Sequence, residues 1–205
     1  MHYQWGYGNI NLKKGWAMIM CGRYYIDDEM AAEISRIIQN WDNRAEGRKE
    51  VFPTNTAPVI KAVGKHLEID SPIWGFKHFD PKKSGVLINA RAETVMERWM
   101  FKSSVTERRC IIPTAGFYEW DRNKTKIAFM HRESPVLYLA GFWKDDRFII
   151  LTTAPNNSIE DVHNRMPLTL ERNELENWLF DPEAYKLILQ KIPGALRREN
   201  VGQLL

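Results

Sequence analysis

Four residues of this chain combine reactive side chains with settings that favour their use: Cys21, Asn89, Glu119 and His163. Cys21 stands in Met20-Cys21-Gly22-Arg23, where an initiator methionine and a second residue would stand. A cysteine that becomes the first residue of a mature protein carries an α-amine and a thiol on adjacent carbons, and that pair can capture an aldehyde twice. Nineteen residues precede Met20, and while attached they bury the amine in a peptide bond. Glu119 lies in the otherwise apolar Gly116-Phe117-Tyr118-Glu119-Trp120, where period-two alternation puts it on one face with Phe117, opposite Tyr118 and Trp120. A carboxylate beside aromatics is partly desolvated, which raises its pKa toward the range of a general acid. An edge-strand glutamate facing solvent fits the same pattern equally well.

His163 sits in Val162-His163-Asn164-Arg165-Met166-Pro167. Pro167 ends any preceding helix, so His163 and Arg165 fall on a loop or helix end, where functional side chains concentrate. A lone histidine is nonetheless more often structural than catalytic. Asn89, in Asn89-Ala90-Arg91-Ala92-Glu93, is either a helix N-cap or a site residue. Five scattered His and two distant Cys give no pair at metal-ligand spacing, so neither metal nor cofactor is expected. Cys110, beside Ile111 and Ile112, reads as a buried structural cysteine.

These residues need elements to position them. The spacing of Met30, Ile34, Ile37 and Ile38 behind Asp27-Asp28-Glu29 predicts a helix over Asp28–Asn40. Strands are expected at Val59–Val63 and His66–Ile73, joined by a Gly64-Lys65 turn. Arg91–Met100 has helical composition. Strands then follow at Arg109–Ile112, Gly116–Trp120, Lys126–His131, Val136–Trp143 and Phe148–Thr153. Helices resume at Ser158–His163, Arg172–Phe180 and Pro182–Gln190. Strands at hairpin spacing imply an α+β fold of antiparallel sheet with peripheral helices. There are no βαβ units, no G-x-G-x-x-G and no Walker loop, which argues against a doubly wound nucleotide-binding fold.

With 205 residues, 44% hydrophobic and 27% charged, the composition fits one globular domain. The expected division is a leader or wrongly assigned start at 1–19 and one domain over 20–205. Lys14-Gly15 is codable by a purine run resembling a ribosome-binding site. A net charge of +3 is compatible with a polyanionic partner without proving one. Two cysteines suit a reducing cytosol, and no apolar run reaches membrane-spanning length.

Six motifs in order carry a resemblance: Met20-Cys21-Gly22-Arg23-Tyr24, Pro72-Ile73-Trp74-Gly75-Phe76, Asn89-Ala90-Arg91-Ala92-Glu93-Thr94, Arg108–Pro113 with Gly116–Trp120, Leu151-Thr152-Thr153, and His163-Asn164-Arg165-Met166-Pro167. From Met20 to about residue 180 the chain resembles the SOS response-associated peptidase (SRAP) family. The resemblance implies antiparallel sheets in a barrel-like core and covalent capture of abasic sites in single-stranded DNA. It places the catalytic positions on Cys21, Asn89, Glu119 and His163. The family's peptidase label implies self-processing that exposes the cysteine; a monomeric, cytoplasmic protein associated with the nucleoid through DNA, with lyase activity, is the accompanying expectation. Arg23, Arg91 and Arg165 lie within two residues of those positions and are expected to hold phosphates. Trp74 and Trp120 are candidates for base stacking, Trp74 the better one, since Trp120 on a strand reads as core. The competing reading is a thiol peptidase in which His163 activates Cys21.

Overall fold

The computed structural model describes residues 22–38, 47–78, 80 and 82–203. Cys21, residues 1–19 and most of the 42–50 loop therefore lie outside the described residues. Asp27 accepts a hydrogen bond from the Met30 amide (3.0 Å), capping the Asp28–Ile37 helix. Asp28 and Glu29 in its first turn complement the helix dipole, and Met30, Ala31 and Ile34 form its buried stripe.

Among the described residues the strands form two large sheets and a two-stranded ribbon. The five-stranded sheet runs in the order Arg197–Gln203, Thr125–Met130, Gly116–Trp120, Tyr24–Ile26, Lys49–Val51. The nine-stranded sheet is centred on Arg109–Thr114, buried along its whole length between Leu137–Lys144 and Val59–Val63. An aromatic seam joins the two. Tyr24 of the smaller sheet meets Trp74 of the larger at 5.0 Å between ring centroids, and Trp74 stacks on Phe148 at 6.4 Å.

The strands at Val59–Val63 and Gly116–Trp120 have the expected bounds. The sheets are mostly antiparallel, with few helices, and no closed barrel is found among the described residues. Ile73–Trp74 and Asn89–Arg91 also run parallel to Arg147–Thr153, unlike the antiparallel pairing expected throughout. This pairing corrects the reading of Asn89 as a helix cap. Asn89-Ala90-Arg91 is a strand, Val95–Glu97 a 3-10 turn, and the helix begins only at Trp99. A long-range partner overrides helical composition here.

The helix expected at Ser158–His163 is replaced by consecutive turns. Asn156 accepts from the Ser158 amide and hydroxyl and donates to Pro193 and Gly194 carbonyls, giving the backbone an alternative to helix. No helix among the described residues is long and apolar enough to cross a membrane.

Candidate functional site

The His163 loop is anchored by the residues on its C-terminal side. Leu137–Lys144 and Arg147–Thr153 pair only near their hairpin end, from Gly141↔Ile150 to Lys144↔Arg147. Beyond that they splay, and residues 166–170 thread between them. Met166–Pro167 pairs with Thr152 and Thr153, Thr169–Leu170 with Tyr138 and Leu139, and Leu168 bridges Leu151 and Ala140 through its own backbone. His163 and Arg165 are thereby held beside the end of the strand that also pairs with Asn89–Arg91.

A side-chain latch tightens the junction. Arg165 donates to both carboxylate oxygens of Glu93 (2.6 and 2.8 Å) and to the Thr152 carbonyl (2.7 Å). Burial works to raise the Glu93 carboxyl, but hydrogen bonds from Arg165 and from the Glu93 and Ala154 amides hold it below the usual range. Arg165, expected to hold a phosphate, is thus engaged in joining the His163 loop to the Asn89 strand.

His163 is buried, 4% exposed. Its Nδ1 accepts a hydrogen bond from the Arg165 backbone amide (3.1 Å). A main-chain N–H can only donate, so Nδ1 carries the lone pair and the proton of the neutral ring sits on Nε2. That Nε2 is buried with no hydrogen-bond partner among the described residues. Burial, helped by the positive charge of Arg165, pushes the His163 pKa below its ordinary value. The ring is therefore a neutral donor at physiological pH.

Glu119 is also buried, 4% exposed, on the inner face of the five-stranded sheet with Phe117, which stacks on Phe129 at 5.3 Å between centroids. The solvent-facing edge reading is excluded. Its cross-strand partner Ile127 and the neighbour of His163, Val162, line one polar cleft of about 540 Å³ together with Asp121, Asp161, Arg198 and Asn200. Neither Glu119 nor His163 lines that cleft, and the two belong to different parts of the fold.

The structure reverses the expected burial of the two tryptophans. Trp74 is fully buried and donates from Nε1 to the Ile88 carbonyl (3.1 Å), so it is core and not a stacking surface. Trp120 is only partly buried, and the Arg23 guanidinium lies 5.0 Å from its ring centroid and 4.4 Å from that of Phe52. Arg23 also pairs with Glu50 (3.2 Å). Phe52, 40% exposed, is a surface aromatic that the sequence reading does not single out. It stands on a turn whose Thr54 has φ of 73°, a strained value for a β-branched residue. The Thr54 amide holds to the Trp74 carbonyl (2.9 Å) and the Phe52 amide to the Asn55 side chain (3.0 Å). The sequence signal for it is an aromatic residue opening a Pro-Thr-Asn turn. Arg91 is exposed at the end of the Asn89 strand.

Cys110 is fully buried, and burial pushes its thiol pKa up, which leaves it unreactive. Among the described residues, no group of three or more His, Cys, Asp or Glu could hold a metal ion.

The sequence matches the family model described as SOS response associated peptidase (SRAP) over residues 20–204. It is 36% identical over 198 residues to the abasic site processing protein YoqW of Bacillus subtilis, covering 83% of this chain and 87% of that one. It is 37% identical over 183 residues to the abasic site processing protein YoaM of the same organism, covering 78% and 79%. The crystal structure of a protein from Bacteroides thetaiotaomicron superposes with a TM-score of 0.73 at 21% identity, over 88% of this chain and 92% of that one. With its six motifs, its two-sheet architecture and these matches, the chain belongs to the SOS response associated peptidase (SRAP) family.

Proposed function

We propose that this protein captures abasic sites in single-stranded DNA as a thiazolidine on Cys21, once Cys21 is the N-terminal residue. A ring-opened abasic sugar presents a C1′ aldehyde. An α-amine has a pKa of about 7.7–8.0, so a useful fraction is neutral near pH 7. The amine adds to C1′ and water leaves, giving an imine. The Cys21 sulfur then bonds to C1′ while the thiol proton passes to the nitrogen, closing a five-membered ring with net loss of one water. Both nucleophiles belong to one residue, which gives the second step a high effective molarity. Ring closure also removes the imine that would otherwise promote β-elimination and break the strand.

The single observation that carries this reading over a thiol peptidase is the proton position on His163. A cysteine peptidase needs a ring nitrogen with a free lone pair to take the thiol proton. Here the Arg165 amide occupies the lone pair of Nδ1, and the remaining nitrogen, Nε2, is the protonated one. Such a ring suits donation to a sugar oxygen. Glu119 is assigned to proton transfer during sugar opening and imine formation, and Asn89 to positioning. The Gly22–Arg23 segment next to Cys21 supports the assignment, because the Arg23 carbonyl accepts from the Tyr118 amide (2.9 Å), beside Glu119. Arg91, exposed and without a carboxylate partner among the described residues, would hold a phosphate, and Trp120 with Phe52, braced by the Glu50-paired Arg23, would offer ring faces to bases. The names of the abasic site processing relatives agree with this chemistry.

The test is to mix an abasic oligonucleotide with protein beginning at Cys21 and, in parallel, with protein retaining residues 1–20. Crosslinks on a denaturing gel from the first protein alone are expected. Equal crosslinking by both rules out the amine. Thiol-sensitive peptide hydrolysis without crosslinking would favour the peptidase.

A further inference from the structure

Trp99 is 71% exposed, whereas Trp74 and Trp178 are fully buried and Trp120 and Trp143 partly so. Exposing a ring of this size to water forfeits the burial that normally retains tryptophan, so its position calls for a reason. It opens the Trp99–Glu107 helix, and Lys102, three residues on, shares its face. A run of turns connects it to the site. Thr94 bonds back to Arg91, Glu97 to Thr94, Arg98 to Val95, and Phe101 and Lys102 to Arg98.

The molecule's cations divide into those paired with carboxylates and those, such as Lys65, Lys77, Arg122 and Lys144, that have no such partner among the described residues. Arg23, Arg147, Arg165, Arg172, Arg198, Lys61, Lys126, Lys186 and Lys191 each have a carboxylate partner. Arg91, Arg98 and Lys102 are exposed and, among the described residues, have none. Of the nearby acids, Glu93 is neutralised by Arg165, which leaves Glu97 alone against three cations. An exposed aromatic face set among unpaired cations matches the requirements of a single-stranded polynucleotide: ring faces for bases and positive charge for phosphates.

We infer that Trp99, flanked by Arg91, Arg98 and Lys102, is a second base-stacking site, which holds the strand as it leaves the Asn89 side of the centre. The inference extends the proposed capture of abasic DNA and rests on it. Its test keeps the two apart by using DNA without a lesion. Fluorescence anisotropy of the full chain with oligothymidines lengthened one nucleotide at a time should show Trp99→Ala binding short oligomers like the unmodified protein. Oligomers long enough to reach the ring should bind at least about five-fold more weakly, the lower end of a stacking contribution. Trp99→Phe should retain part of the gain. Arg98→Ala with Lys102→Ala should reduce the slope of log affinity against log salt by about 1.4, at about 0.7 per phosphate contact on a single strand.

Binding by Trp99→Ala that equals the unmodified protein at every oligomer length overturns the inference. So does unchanged DNA affinity with an altered sedimentation coefficient, which would make Trp99 a contact between copies of the chain. Failure of abasic crosslinking by the Cys21-terminal protein refutes covalent capture, and the lesion-free binding curves are read independently of it.

Discussion

Replacing Glu93 with glutamine keeps the shape of the latch and removes its negative charge. Arg165 makes two hydrogen bonds to this carboxylate and a third to Thr152. Hydrogen bonds to charged groups contribute about 1.5–3 kcal/mol each when shielded from water. The Glu93 side chain is 42% exposed, however, and exposed ion pairs are worth about 0–1 kcal/mol. We take about 1 kcal/mol for the pair. If that order is required at the reacting atoms, the maximal crosslinking rate of Glu93→Gln falls about five-fold. The assay is single-turnover crosslinking of abasic DNA across a range of protein concentrations, which separates maximal rate from half-saturation. A latch lowers the maximum and leaves half-saturation unchanged. If Arg165 instead held a phosphate, removing its competing carboxylate would tighten DNA binding and spare the maximum. Arg165→Lys, which keeps the charge and loses the fork, should behave like Glu93→Gln. Tighter binding at an undiminished rate in Glu93→Gln would refute the reasoning.

Glu119→Gln should slow crosslinking about a hundredfold, the lower end for losing a general acid, with intact-DNA affinity unchanged in anisotropy. Trp74→Ala and Trp120→Ala should separate cleanly. The first empties a fully buried site and should lower stability by about 3–5 kcal/mol in urea titrations. The second should cost little stability and weaken single-strand binding several-fold. The pH dependence comes from His163, whose folded pKa lies below its ordinary value of about 6.5. Between those two values the unfolded chain binds more protons, so stability is full above about pH 6.5 and is lost as pH falls through the folded value. His163→Gln should flatten urea midpoints over that window, above the acid range in which Glu93 titrates.

What can be read from the sequence is local. Gly116–Trp120 and Val59–Val63 carry alternation and turn signals in their own residues, and their bounds match the structure. Asn89 is misread from sequence because its strand owes its existence to Ile150–Thr152, some sixty residues on. Arg197–Gln203 escapes notice because a polar edge strand, charged at Arg197, Arg198 and Glu199, lacks an apolar face to announce it. The burial of Trp74 and Trp120 is reversed from the expectation because periodicity tells which residues share a face, and packing decides which face meets the other sheet. The Glu93–Arg165 pair joins residues far apart in sequence, and no spacing rule could find it. The chemistry-bearing residues are legible chiefly because their motifs, taken in order, resemble one family.

The proton position on His163 is written by a main-chain amide. Every residue except proline supplies that amide, so position 165 can drift in side chain without moving the proton from Nε2 to Nδ1. Side-chain replacements there should retune the loop while preserving the ring's tautomer. Arg165→Pro stands apart as the substitution that deletes the instruction itself and would free the imidazole to present a lone pair. Under the proposed function, such a site is buffered against most mutations at its tautomer-setting position, and the boundary between capturing an aldehyde and activating a thiol is kept by the backbone.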